Sequence, residues 1–199
     1  LKKGIFYDFV EKNDKNVPCR QDIDEAIFYL LKASEDITLS GHCCVFFELA
    51  DIYENFSKYK DLTQALTYYA KAATNGCVRA EYAMGRFFEK GIVVKKNLEN
   101  AFKWYKSAAK REHCCAQYNL ARLYEKKNAK VSAMKWYLKS AEKGCQNAQY
   151  RLGKCYEEGI LVTKDIAAAE KFYRLAADQD FSNAQFALGM LYYNGLILN

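Results

Sequence analysis

One nine-residue pattern, small-x-x-x-[Leu/Met]-[Gly/Ala]-x-x-aromatic, recurs along this chain at a nearly fixed interval, and that recurrence limits the folds open to it. It reads Ala80, Met84, Gly85, Phe88; Ala116, Leu120, Ala121, Tyr124; Ala148, Leu152, Gly153, Tyr156; and Ala184, Leu188, Gly189, Tyr192. A weaker copy runs from Val45 through Leu49 and Ala50 to Tyr53. The anchors Val45, Ala80, Ala116, Ala148 and Ala184 are 35, 36, 32 and 36 residues apart. A second pattern keeps step with the first: Ala65, Tyr68, Tyr69, Ala72, Ala73; Ala101, Trp104, Tyr105, Ala108, Ala109; Ala133, Trp136, Tyr137, Ser140, Ala141; and Ala169, Phe172, Tyr173, Ala176, Ala177. Two motifs per unit at a fixed period are the signature of stacked helical hairpins, a quasi-one-dimensional array.

The residues of each motif explain why. Apolar side chains fall at i, i+3, i+4, i+7 and i+8, one stripe of a helix, and the interleaved glycines and alanines let neighbouring helices approach closely. Four residues before each second-motif alanine stands Asp22, Asp61, Asn97 or Asp165, an oxygen acceptor for the free amides of a first turn. The short unit has Ala129 there, and Asn128 is the expected cap. Gly76 and Gly144 suit left-handed stops after the second helix, as do Gly91, Gly159 and Gly195 after the first. No strand-like alternation competes with helix.

At these residues the chain resembles the Sel-1-like repeat family, relatives of the tetratricopeptide repeats. The family unit, A-x-x-x-L-G-x-x-Y-x-x-G, a loop, then D-x-x-x-A-x-x-W-Y-x-x-A-A-x-x-G, is matched almost position by position from Ala148 to Asp180. The family's G-x-G-V loop has lost its second glycine in Gly91-Ile92-Val93-Val94 and Gly159-Ile160-Leu161-Val162, and the unit from Ala116 to Gly144 lacks the loop. The resemblance implies an all-α, right-handed alpha-alpha superhelix of about 11 helices in a single repeat domain, 1–199. Its expected divisions are a degenerate N-terminal repeat at 1–41, repeats at 42–79, 80–115, 116–147 and 148–183, and a first helix at 184–199. In the degenerate repeat Ile5, Phe6, Phe9 and Val10 are expected in a first helix, and Asp22, Ala26, Tyr29 and Ala33 in a second. The chain opens on Leu1 and stops at Asn199, where the next second helix is due, so a longer parent protein is expected.

Composition narrows the function. The formal charge of +6 comes from acids and bases mixed throughout, with no basic tract, so nucleic acid is not the expected partner. No run of 18 apolar residues and no intact leader peptide appear. Six of the eight cysteines (Cys43, Cys44, Cys77, Cys114, Cys115 and Cys145) fall one to three residues before a first-helix anchor. None recurs in a second helix, so a within-unit bridge has no second partner, and reduced thiols in a cytoplasmic setting are expected. The lone sequon Asn55-Phe56-Ser57 is weak counter-evidence.

His42-Cys43-Cys44 and His113-Cys114-Cys115 raise a metal reading. The triplets lie two units apart, at least roughly 15 Å with helices about 8 to 10 Å from each other, and three consecutive residues make a poor tetrahedral set. No metal and no cofactor are expected. No nucleotide loop, H-E-x-x-H or G-x-S-x-G is present, and Trp104-Tyr105 and Trp136-Tyr137 read as packing positions, so the chain is expected to be non-enzymatic.

In tetratricopeptide-like arrays the first helices line the concave side, and offsets +2, +6 and +9 from the anchor share a helical face. The +2 column is Phe47, Tyr82, Tyr118, Tyr150, Phe186; the +6 column is Asp51, Arg86, Arg122, Lys154, Met190; the +9 column is Glu54, Glu89, Glu125, Glu157, Tyr193. The candidate groove therefore comprises Tyr82, Arg86, Glu89, Tyr118, Arg122, Glu125, Tyr150, Lys154 and Glu157, fit for a partner protein or peptide with an acidic segment. In the plainer reading each +6 cation pairs with the +9 glutamate three residues on in its own helix. Function is thus read as a protein-interaction scaffold or adaptor. The alternatives are a regulatory repeat region of a larger enzyme or host-interaction protein and, as the resemblance implies for some cysteine-rich relatives, a hydrolase.

Overall fold

The computed structural model describes residues 20–35 and 43–197. Among them are ten helices and no strand: α1 Arg20–Glu35, α2 Cys43–Asn55, α3 Leu62–Thr74, α4 Val78–Lys90, α5 Leu98–Lys110, α6 Cys114–Lys126, α7 Lys130–Glu142, α8 Gln146–Glu158, α9 Ile166–Ala177 and α10 Ser182–Tyr193. The remaining expected helix, at Ile5 to Val10, lies outside the described residues. Packing runs mainly between consecutive helices, with α2 on α3, α4 on α5, α6 on α7 and α8 on α9 as hairpins and the hairpins stacked in order. The result is an alpha-alpha solenoid without a central core.

The core is instead a series of similar clusters, each centred on a fully buried tyrosine from the second helix: Tyr69, Tyr105, Tyr137 and Tyr173. Each ring needs space beside the first helix, and offset +5 supplies it. A Cβ built on Gly85 or Gly153 would fall inside the envelope of Tyr105 or Tyr173. Units one and three carry Ala50 and Ala121 at that offset, both fully buried, so there the hairpin accommodates one more carbon. Nothing lies within 4 Å of such a Cβ at Gly189 on α10.

Helix starts follow the expected chemistry at three sites. Asp61 accepts from the amides of Thr63 and Gln64 at 2.9 and 3.0 Å, Asn97 from Glu99 and Asn100 at 3.0 Å each, and Asp165 from Ala168 at 3.0 Å. Two expectations need correcting. Asp22 lies inside α1, which begins at Arg20. Ala129, not Asn128, is the N-cap residue of α7 and makes no side-chain cap bond. Asn128 instead sits at φ 57°, making the left-handed turn that replaces the missing loop.

The two altered loops keep the backbone of the glycine they lost. Val93 and Leu161 stand at φ 63° and 68°, a region costly for side chains with a Cβ and most of all for a β-branched one. Val93 is half exposed, whereas Leu161 packs against the cluster around Tyr137. Val93→Gly is therefore expected to stabilise the protein by about 1 kcal/mol in a denaturant titration. Leu161→Gly should gain nothing, because relief of strain is offset by lost burial.

Candidate functional site

The structure places the nine candidate residues on three successive first helices: Tyr82, Arg86 and Glu89 on α4; Tyr118, Arg122 and Glu125 on α6; Tyr150, Lys154 and Glu157 on α8. All nine are half-buried. Their charges do not pair three residues apart within one helix. They pair between units: one terminal nitrogen of Arg86 donates to both oxygens of Glu54 at 2.8 Å, and Arg122 donates to Glu89 at 3.2 Å. In each case the +6 cation of one unit reaches back to the +9 carboxylate of the unit before it.

The same carboxylates take a second donor. The buried hydroxyls of Tyr69, Tyr105, Tyr137 and Tyr173 donate to Glu54, Glu89, Glu125 and Glu157 at 2.8, 2.8, 2.6 and 2.5 Å. Each +9 glutamate thus satisfies its own unit's core tyrosine with one oxygen and, in the first three units, holds the next unit's cation. Burial alone would raise the Glu125 carboxyl, but hydrogen bonds from Arg151 and Tyr137 hold it below the usual range.

The third seam changes the donor. Lys154, the expected cation, pairs instead with Glu158 on its own helix at 3.1 Å. Glu125 is bound by Arg151, three residues earlier in the chain and absent from the sequence-based candidates. Arg151 stands one helical turn before Lys154, so a guanidinium one turn away supplies the same contact. At the fourth seam the +6 residue is Met190, and Glu157 has no cation partner among the described residues.

The +2 aromatics also span the seams. Tyr82 stacks on His113, the N-cap of α6, with ring centroids 4.7 Å apart, and Tyr150 meets Phe181, before α10, at 5.5 Å edge-on. Phe47 lies under the Arg79 guanidinium at 4.1 Å. His113 Nδ1 accepts from the Ala116 amide at 3.3 Å, and burial pushes its pKa down, which favours the neutral ring that this cap requires. On α10 the same columns are open, with Phe186 72% and Tyr193 84% exposed. Among the described residues, no group of His, Cys, Asp or Glu is arranged to hold a metal ion. Nor is any described helix long and apolar enough to cross a membrane.

This geometry agrees with what the chain resembles. The Sel1 repeat model matches residues 17–36, 47–77, 78–113, 116–145, 146–181 and 182–198, and the chain belongs to the Sel1 repeat family. Among solved structures it is similar to c5321, a protective antigen of uropathogenic Escherichia coli with an SLR fold, at 32% identity and a TM-score of 0.76. That match covers 85% of this chain and 36% of the other. A Sel1 repeat protein from Oxalobacter formigenes gives 29% identity and a TM-score of 0.76 over 84% and 67% of the respective chains. A chitin synthase regulator of Saccharomyces cerevisiae, SKT5, is 29% identical over 96 residues, 46% of this chain and 13% of that protein. The chain thus spans a small part of the yeast protein and about a third of the E. coli one.

Proposed function

We propose that this chain is a non-enzymatic scaffold that seats a segment of a partner protein along its first-helix face, over Tyr82, Arg86, Glu89, Tyr118, Arg122, Glu125, Tyr150, Lys154 and Glu157. The observation that carries this reading is the regular row of half-buried tyrosines and cations that three successive helices present on one face. An acidic segment suits the row. Arg86 spends one terminal nitrogen on Glu54, and Lys154 is held only by a surface pair within its own helix. The resemblance to part of a yeast regulator supports a second form of the same reading, in which the repeats are the regulatory or targeting region of a longer protein. The cytoplasmic setting belongs to this proposal too.

Lys154 gives the cleanest test, because its reversal disturbs no inter-unit pair. Once a partner is identified by pull-down and mass spectrometry, Lys154→Glu should weaken binding by about tenfold, the worth of one charge-assisted hydrogen bond. Added salt should weaken it in the same direction. Substituting Lys110 or Lys143, at the ends of the second helices α5 and α7, should change affinity less than twofold. Normal binding by Lys154→Glu together with loss on substituting Lys110 and Lys143 would move the site to the opposite surface.

A further inference from the structure

The array brings together thiols that are far apart in sequence, and it does so twice. At the third seam Cys114 and Cys115 open α6, with sulfurs 3.9 Å apart, and Cys145 is the N-cap residue of α8. Cys114 packs against the cluster that contains Cys145. Ser140 ties the two backbones, its hydroxyl donating to the Cys114 carbonyl at 2.8 Å and its own carbonyl accepting from the Cys145 amide at 3.1 Å. As N-cap, Cys145 makes no side-chain cap bond, and its carbonyl accepts from the Ala148 amide at 3.0 Å. At the first seam Cys43 and Cys44 open α2, and Cys43 packs against the cluster holding Cys77, the N-cap residue of α4. The described cysteines are all unbridged.

We propose that Cys114, Cys115 and Cys145 form a hydroperoxide-reactive thiol site that closes a disulfide between the N-terminal ends of α6 and α8. The Cys145 thiolate attacks one peroxide oxygen; the S–O bond forms, the O–O bond breaks, and the departing hydroxide takes up the thiol proton as water. The sulfur of Cys114 or Cys115 then attacks Cys145. The S–S bond forms, the S–O bond breaks, and the hydroxyl leaves as a second water with the attacking thiol's proton. Two sulfurs are oxidised by one electron each and one peroxide is reduced.

Three features support this order. The neighbouring Cys114 and Cys115 side chains hold the Cys145 thiol far below the usual range, while Cys114 and then Cys145 push Cys115 up. The exposed amides of the α8 N-terminus favour an anion at Cys145. Cys145 keeps 7% of its surface exposed. Cys155, fully buried on the same helix and pushed up to about 11 by burial, is a natural comparison.

The test treats the whole protein with hydrogen peroxide, alkylates it, and digests it with trypsin without reduction. A mass loss of about 2 Da joining peptide 112–122 to peptide 144–151 is expected, with Cys155 still alkylated after unfolding. The oxidised protein should melt about 5 to 10 °C higher, an increase that dithiothreitol reverses. Cys145→Ser should abolish the link and the shift while retaining the fold, since serine is a favoured N-cap. Cys114→Ser with Cys115→Ser should leave Cys145 as a sulfenic acid that a cyclic 1,3-dione traps. The proposal is overturned if peroxide leaves all three thiols alkylatable, joins Cys114 to Cys115 within one peptide, or modifies Cys155 as fast as Cys145.

Discussion

Arg86→Glu combined with Arg122→Glu is expected to lower thermal stability severely, by about 3 to 6 kcal/mol, before any effect on binding is considered. Each reversal removes a charge-assisted hydrogen bond to a glutamate that is nearly buried, with 13% and 14% side-chain exposure at Glu54 and Glu89. It then sets two carboxylates against each other in a site where Tyr69 or Tyr105 already donates to one of them. An array of this size should lose more than about 10 °C of melting temperature, measured by circular dichroism at 222 nm. Arg86→Lys with Arg122→Lys should lose less, since charge is kept and only the planar fork is gone. The reversed protein should also regain stability on acidification. Protonating one of two facing carboxylates removes their repulsion, so acid favours the folded state of this variant. A double reversal that melts like the parent at pH 7 would show that the inter-unit pairs contribute nothing.

Tyr105→Ala should be comparably damaging, at about 3 to 5 kcal/mol, because it empties the seat built around one ring. Tyr105 is fully buried, lies against Gly85, meets Tyr82 at 5.9 Å between centroids, and bonds to Glu89 at 2.8 Å. Tyr105→Phe separates the two contributions. It retains the ring and removes only the hydroxyl, so about 1 to 2 kcal/mol should be lost in a urea titration, through the carboxylate left with one donor fewer. If the phenylalanine variant is as damaged as the alanine variant, the hydroxyl outweighs the ring, and core packing is not what the second-helix tyrosines chiefly supply.

The elements that depend on one helix at a time were legible in the sequence. The anchors at Ala80, Ala116 and Ala148, the caps at Asp61, Asn97 and Asp165, and the left-handed stops at Gly76, Gly91, Gly144 and Gly159 each need only a local period and local backbone chemistry. What was not legible lies between units. The +6 and +9 columns were visible, but the rise and rotation from one hairpin to the next were not. The nearest partner on paper for Arg86 was therefore Glu89 on its own helix, whereas in space it is Glu54. The same ignorance hid Arg151, since nothing in one helix says whether offset +3 or +6 meets the preceding glutamate. It also hid the thiol cluster, whose members are some 30 residues apart in sequence and come together only across a seam.

The direction of the glutamate contacts has a consequence for how such an array can be rearranged. At the three paired seams one unit offers a carboxylate forward and the next a cation backward, so these junctions are head-to-tail and the sequence of units has a sense, like a row of hooks and eyes. Two first helices lack the matching fastener: α2 has Asp51 where a hook is needed, its carboxyl raised by burial and by Glu48 and Glu54, and α10 has Met190. Shuffling the units would therefore not be neutral even though their backbones superpose in kind. Moving the α2–α3 unit behind another would bring Asp51 up to a glutamate, and placing a copy of α10 between other units would leave an eye unfastened. The order of the repeats is written in their charges as well as in their hydrophobic stripes.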